Sequence, residues 1–133
     1  MKIELHAHTS DDPQDEIPYS TRELIAHAAS RGYQALAITL HDRQLDLRSY
    51  RSYAAELGVT LIPGIERTIC GKHVLLLNFR RGADTVTNFD ELARLKTREL
   101  GLIIAPHPFF PSASALRRPG PAGVRRRCRG RRP

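Results

Sequence analysis

Cysteine is scarce in this chain: Cys70 and Cys128 are the only two among 133 residues, far apart and outside any Cys-x-x-Cys pattern. That argues against a disulfide framework and a thiolate-rich structural zinc site, and it points to a reducing compartment. No apolar run approaches membrane-spanning length; residues 74–77 and 102–105 are the longest candidates and read as buried strands. The chain enters Lys2-Ile3-Glu4 without the apolar segment of a secretory leader. These absences predict a cytoplasmic protein with no membrane partner. No internal repeat is present, and no Ser–His–Asp or Cys–His pattern calls for a protein nucleophile.

The net charge of +7 suggests nucleic acid until its location is considered. Residues 117–133 hold eight Arg and no acid, which leaves thirteen Lys/Arg against fourteen Asp/Glu in residues 1–116. The expected domain, residues 1–116, is therefore close to neutral. Residues 117–133 form an Arg/Pro/Gly-rich tail with too few apolar side chains to pack, and are expected to be disordered.

Hydropathy patterning predicts alternating strands and helices. Residues 2–8 read as a strand. Ser20 with Glu23 three residues later is a capping box, and Leu24, Ile25, Ala28 and Ala29 continue it as a helix over residues 21–31, closed by Gly32. Residues 34–40, nearly all apolar, suit a parallel strand covered on both faces. A second helix is expected over 46–57 and a strand over 59–62. Two strands around a turn at Gly71-Lys72 follow, then a helix capped by Asn88 and a last strand over 102–105. This order predicts an α/β domain with a mainly parallel sheet.

Histidines collect at the predicted strand ends. In a strand, residues i and i+2 face the same way, so His6 and His8 can grip one metal ion. His41 closes the second strand, Glu66 follows the third, His73 opens the second strand of the turn, and His107 lies between two prolines after the last. His27, inside the first helix, reads as a surface or packing residue. Imidazoles and carboxylates without thiolates suit Zn, Mn or Fe, and so many ligands exceed what one tetrahedral ion needs. Two or more ions are expected, with Glu66 as the bridging carboxylate and a shared hydroxide as nucleophile. Arg43, Arg67 and Lys72 are the cations available to a substrate phosphate.

The His6-x-His8-Thr9 opening, Ile38–Asp42 (ITLHD), Pro63–Glu66 (PGIE), His73 and Pro106-His107-Pro108 together resemble the PHP (polymerase and histidinol phosphatase) family, over about residues 2–111. The resemblance implies a partial distorted β/α barrel of mainly parallel strands and a site of two or three metal ions. The implied activity is phosphoesterase hydrolysis of a small phosphorylated substrate by metal-activated water. It places His6, His8, His41, Glu66, His73 and His107 on metal-ligand positions, with Asp11 or Asp12 matching the acidic ligand that follows the opening pair.

Three departures accompany the likeness. Leu40 stands where the family commonly has Asp before the strand-end histidine. The family's late Asp-x-His is missing, since no acid follows Glu99 and no histidine follows His107. The chain is also short for a barrel of about 250 residues. The change of composition at Arg117 therefore reads as a truncated or out-of-frame continuation, with a basic tail contacting nucleic acid as the alternative. An inactive metal-binding fragment and a metal-dependent amidohydrolase are the competing functional readings.

Overall fold

The computed structural model describes residues 1–108. The expected 1–116/117–133 boundary, the basic tail and Cys128 lie outside the described residues. The elements run β1 (Ile3–Ala7), α1 (Thr21–Ser30), β2 (Ala35–Ile38), a 3-10 turn (Arg48–Tyr50) leading into α2 (Arg51–Glu56), β3 (Thr60–Ile69), β4 (Lys72–Leu77), α3 (Phe89–Arg98) and β5 (Leu102–Ile104).

The five strands form one sheet in the order β1-β2-β3-β4-β5. β1, β2 and β3 are parallel, whereas β4 is antiparallel to β3 and β5 antiparallel to β4. The sheet is therefore mixed, and the expected mainly parallel β/α barrel is not formed. The reason lies at Cys70-Gly71. Ile69 pairs with Lys72 across these two residues, and both have positive φ, 53° and 72°. Two left-handed residues make the tight turn that matches strand twist, so the chain reverses at once, with no crossover helix between β3 and β4.

The sheet is also curled. A flat sheet would hold its outer strands about 19 Å apart, at about 4.8 Å per interval. The rings of His6 on β1 and His107 beyond β5 stack at 5.8 Å. The structure is thus a half-barrel whose two outer strands bend toward one another.

Alternation along the strands assigns the faces. Leu36, Ile38 and Leu40 pack with Ile25 and Ala28 of α1 and Ala54 of α2 in one core cluster. Ile65, Ile69, Val74 and Leu76 pack with Phe79, Val86 and Leu92 in a second. The helices thus cover the convex face, and the residues between these core positions, His41 and Glu66 among them, fall on the concave one. The capping box at α1 is formed: Ser20 accepts from the Glu23 N–H and Glu23 from the Ser20 N–H. Such a cap contributes on the order of 1 kcal/mol.

Two local corrections matter for the site. β3 is a single ten-residue strand, so Pro63–Glu66 lies within it and not at its end. Gly64 fits there because a Cβ would come within 2.8 Å of Thr39 Cγ2 and 3.1 Å of the Ile38 carbonyl oxygen. In β1 the register to β2 shifts between Glu4 and Ala7. Glu4 pairs with Leu36 and Ala7 with Ile38, so one extra residue sits in β1. The bulge puts Glu4 on the helix-covered face while His6 and His8 face the concavity. The Glu4 carboxylate then accepts from the N–H groups of Leu5 and His6, at 2.9 and 3.0 Å.

Candidate metal centre

The centre of the concave face is Glu66, 1 % exposed and enclosed by five imidazoles. Its Oε2 lies 2.8 Å from His6 Nε2, 3.1 Å from His8 Nε2 and 3.5 Å from His41 Nε2. Its Oε1 lies 2.7 Å from His73 Nδ1 and 3.4 Å from His107 Nε2. Antiparallel pairing explains how His73 arrives: it stands opposite Thr68, at the end of the sheet that the parallel strands also lead to. His107 reaches the same end after β5, with φ +36° between its two prolines.

Asp12 settles the loop after β1. Its Oδ2 is 2.7 Å from His8 Nδ1, and both of its oxygens are 3.2 Å from His41 Nδ1. It also accepts the His41 backbone N–H at 2.9 Å. With Nδ1 of each ring given to Asp12, Nε2 of each ring faces Glu66. A carboxylate behind an imidazole fixes its tautomer and aims the other nitrogen at a metal. Asp12 thus supplies the orientation that Leu40, fully buried in the core, cannot. Asp11 points elsewhere, accepting from the Thr21 hydroxyl at 2.9 Å at the start of α1.

The electrostatics follow from this packing. Burial pushes the Glu66 carboxyl up, but hydrogen bonds from His6 and His8 and the nearby charge of His6 and His41 outweigh it, holding it far below the carboxylate range. Asp12 is likewise raised by burial but lowered more by His8 and by the backbone N–H groups of His41, Gln14 and Asp15. For His8, burial works against the charged form, yet Glu66 and Asp12 together raise its pKa above the ordinary value.

Three groups of side chains have donor atoms close enough to hold an ion: His8, Asp12, Asp15 and His41; His41, Glu66 and His73; and His6, Glu66 and His107. They share His41 and Glu66, so they form a connected chain. The donors are nitrogen and oxygen only, and three carboxylates lie among them. With neutral imidazoles the cluster is an anionic cavity whose donors could hold a metal ion. Asp15 was not signalled by the sequence; it reaches His41 Nδ1 at 3.7 Å from an exposed loop position.

The cations sit at different distances from this chemistry. Arg43 is exposed and donates to the Asp11 carbonyl. Arg67 is committed to Asp42 and to the Val86 carbonyl, and Lys72 opens β4 opposite Ile69. His27 is exposed on α1 and lines a groove of about 530 Å³ that also touches His6, His8, Tyr19 and Arg31. No helix among the described residues is long and apolar enough to cross a membrane.

No protein-family model matches the chain. Over 68 residues, 51% of its length, it is 37% identical to a DNA polymerase III PolC-type of Lactococcus lactis subsp. lactis (strain IL1403), of which it covers 4%. The same stretch length gives 37% identity to the like-named protein of Streptococcus pneumoniae serotype 2 (strain D39 / NCTC 7466), with 5% covered, and 35% to that of Streptococcus sanguinis (strain SK36). The chain thus spans about a twentieth of the length of the curated relatives it matches.

Proposed function

We propose that the concave face is a PHP-type centre for two or three divalent metal ions, and that its chemistry is hydrolysis of phosphate esters. The observation that carries this reading is Glu66, a buried carboxylate with both oxygens shared among five imidazoles. A structural role alone needs one or two partners for a buried acid, not five drawn from four separate strands or their ends. Bound ions would polarise a phosphoryl oxygen and lower the pKa of water at that position.

The chain's own residues divide the work. His6, His8, His41, His73 and His107 would hold the ions, Glu66 would bridge them, and Asp12 would orient His8 and His41. Asp15 adds an acidic ligand at the open side. The groove beside His6 and His8 gives the remainder of a small ester a place to lie. The PolC-type relatives favour a second substrate, the phosphodiester of DNA, and the two are separated by assay.

The test is metal content with turnover. The protein, loaded with zinc or manganese, is expected to carry two or three ions and to hydrolyse p-nitrophenyl phosphate or single-stranded DNA, with both activities lost in Glu66→Ala. A protein that takes up no metal and turns over neither substrate is the inactive fragment. Hydrolysis of a lactone or amide with no phosphoester turnover would replace this reading with an amidohydrolase.

A further inference from the structure

The residues that immediately follow His41 and Glu66 are Asp42 and Arg67, and these two side chains are bonded to each other beside the cluster. Arg67 Nη1 lies 2.5 Å from Asp42 Oδ1, with the two side chains 15 % and 28 % exposed. The same carboxylate oxygen accepts the Thr68 N–H at 2.7 Å, and Oδ2 accepts from Gln14 Nε2 at 3.2 Å. Arg67 Nε donates to the Val86 carbonyl at 3.0 Å. One ion pair therefore ties together the loop carrying Asp12 and Asp15, the segment after β2, the last residues of β3 and the segment before α3.

The backbone at this point explains why a tie is needed. Regular pairing of β2 ends at Ile38 opposite Pro63, yet His41 still bridges Glu66 in the same register. Only the bonds from Glu66 N–H to the Leu40 carbonyl and from Asp42 N–H to the Glu66 carbonyl carry the ladder so far. At Asp42 the chain turns away with φ +52°, a left-handed conformation that Asp adopts more readily than most residues. That turn brings its carboxylate back over β3. Without the carboxylate the last two bonds sit at a strand end free to fray, and His41 moves relative to Glu66.

We propose that Asp42 and Arg67 are positioning residues: their ion pair sets the separation of His41 and Glu66 and so governs metal affinity without contacting metal. This rests on the reading of the concave face as a metal centre, and the experiment separates the two ideas. Displacements of about 1 Å are enough to spoil such a site.

The test compares wild type with Arg67→Ala, Arg67→Lys and Asp42→Asn. The last keeps an acceptor for the Thr68 N–H and tolerates the left-handed turn, so it folds even if Arg67→Ala does not. Zinc titration calorimetry is expected to show affinity about tenfold to a hundredfold weaker in Arg67→Ala, with Arg67→Lys and Asp42→Asn between it and wild type. Nitrogen-15 spectra of the imidazoles in metal-free protein should show the His41 and His73 rings shifted or broadened, and His27 unmoved. Unchanged rings and unchanged zinc affinity in a folded variant would overturn the proposal, as would lower thermal stability with the site intact. If wild type takes up no zinc, the metal reading fails, and the imidazole spectra still decide whether the pair positions His41.

Discussion

Asp12 holds His8 through Nδ1 at 2.7 Å and turns the other nitrogen of that ring toward Glu66. The same carboxylate does this for His41, so one acid sets two ring orientations. Asp12→Asn keeps the size and removes one acceptor, forcing at least one imidazole to change partner. Metal affinity by calorimetry should fall about tenfold to a hundredfold. Asp11→Asn, whose target is the Thr21 hydroxyl, should leave metal affinity at the wild-type value.

His107 is the most exposed ring on Glu66, its side chain 36 % exposed. His107→Asn tolerates the positive φ and removes the imidazole. Stability of the metal-free chain in urea should change by no more than about 0.5 kcal/mol, as for other surface substitutions. Zinc content by atomic absorption should drop by one ion, because only one of the three ligand groups contains this residue.

The pH dependence of stability and of metal binding should run in opposite directions. His8 is raised in the folded chain, so its stabilising contribution is complete below the unfolded value of about 6.5 and is lost as pH rises through the raised one. Glu66 and Asp12 are lowered, so theirs is present above about pH 4 and lost as pH falls through the depressed values. The metal-free melting temperature should therefore peak between about pH 4.5 and 6.5. Metal affinity should instead climb through and beyond that window, since a ligating imidazole must first shed its proton. Thermal melts and zinc titrations from pH 4 to 9 check both.

Gly64 has no room for a side chain between Thr39 and Leu77. Gly64→Ala places a methyl group 2.8 Å from Thr39 Cγ2 and 3.0 Å from Leu77 Cδ2. Overpacking of this kind costs about 1–3 kcal/mol. Urea unfolding should show that loss, and adding Thr39→Ser, which deletes Cγ2, should recover part of it.

Much of the centre was legible because its residues obey local rules. The Ser20–Glu23 box gave α1 to within one residue, and the His-x-His pair shares a face although the register shifts between Glu4 and Ala7. The structure brings His, Asp and Glu side chains together in groups that could hold a metal ion. The turn near Gly71 is legible, but three strand–helix alternations still predict a mainly parallel barrel; the sheet is mixed because β4 reverses directly at Cys70-Gly71 and β5 then pairs antiparallel with it. Pro63-Gly64 also reads as a strand end. Pro and Gly usually interrupt strands, but here Gly64 serves the close approach of Thr39, a contact between residues 25 positions apart. The second helix is shorter than its apolar spacing predicts: residues 46 and 47 lie before a 3-10 turn with no side-chain cap, and α2 begins only at Arg51. Asp15 and the Asp42–Arg67 pair carry no local signature, since their meaning arises only when three segments meet.

The curl of the sheet has a kinetic consequence. His6 and His107 are separated by about a hundred residues of chain and meet only when both outer strands have bent inward. Contacts between such distant residues form late and slowly, after the loop-closure entropy between them has been overcome. The helices and the β3–β4 turn can assemble without the cluster, so the chain should collapse before it has a complete ion-binding cavity. A cation that binds only the finished arrangement then slows unfolding far more than it speeds folding.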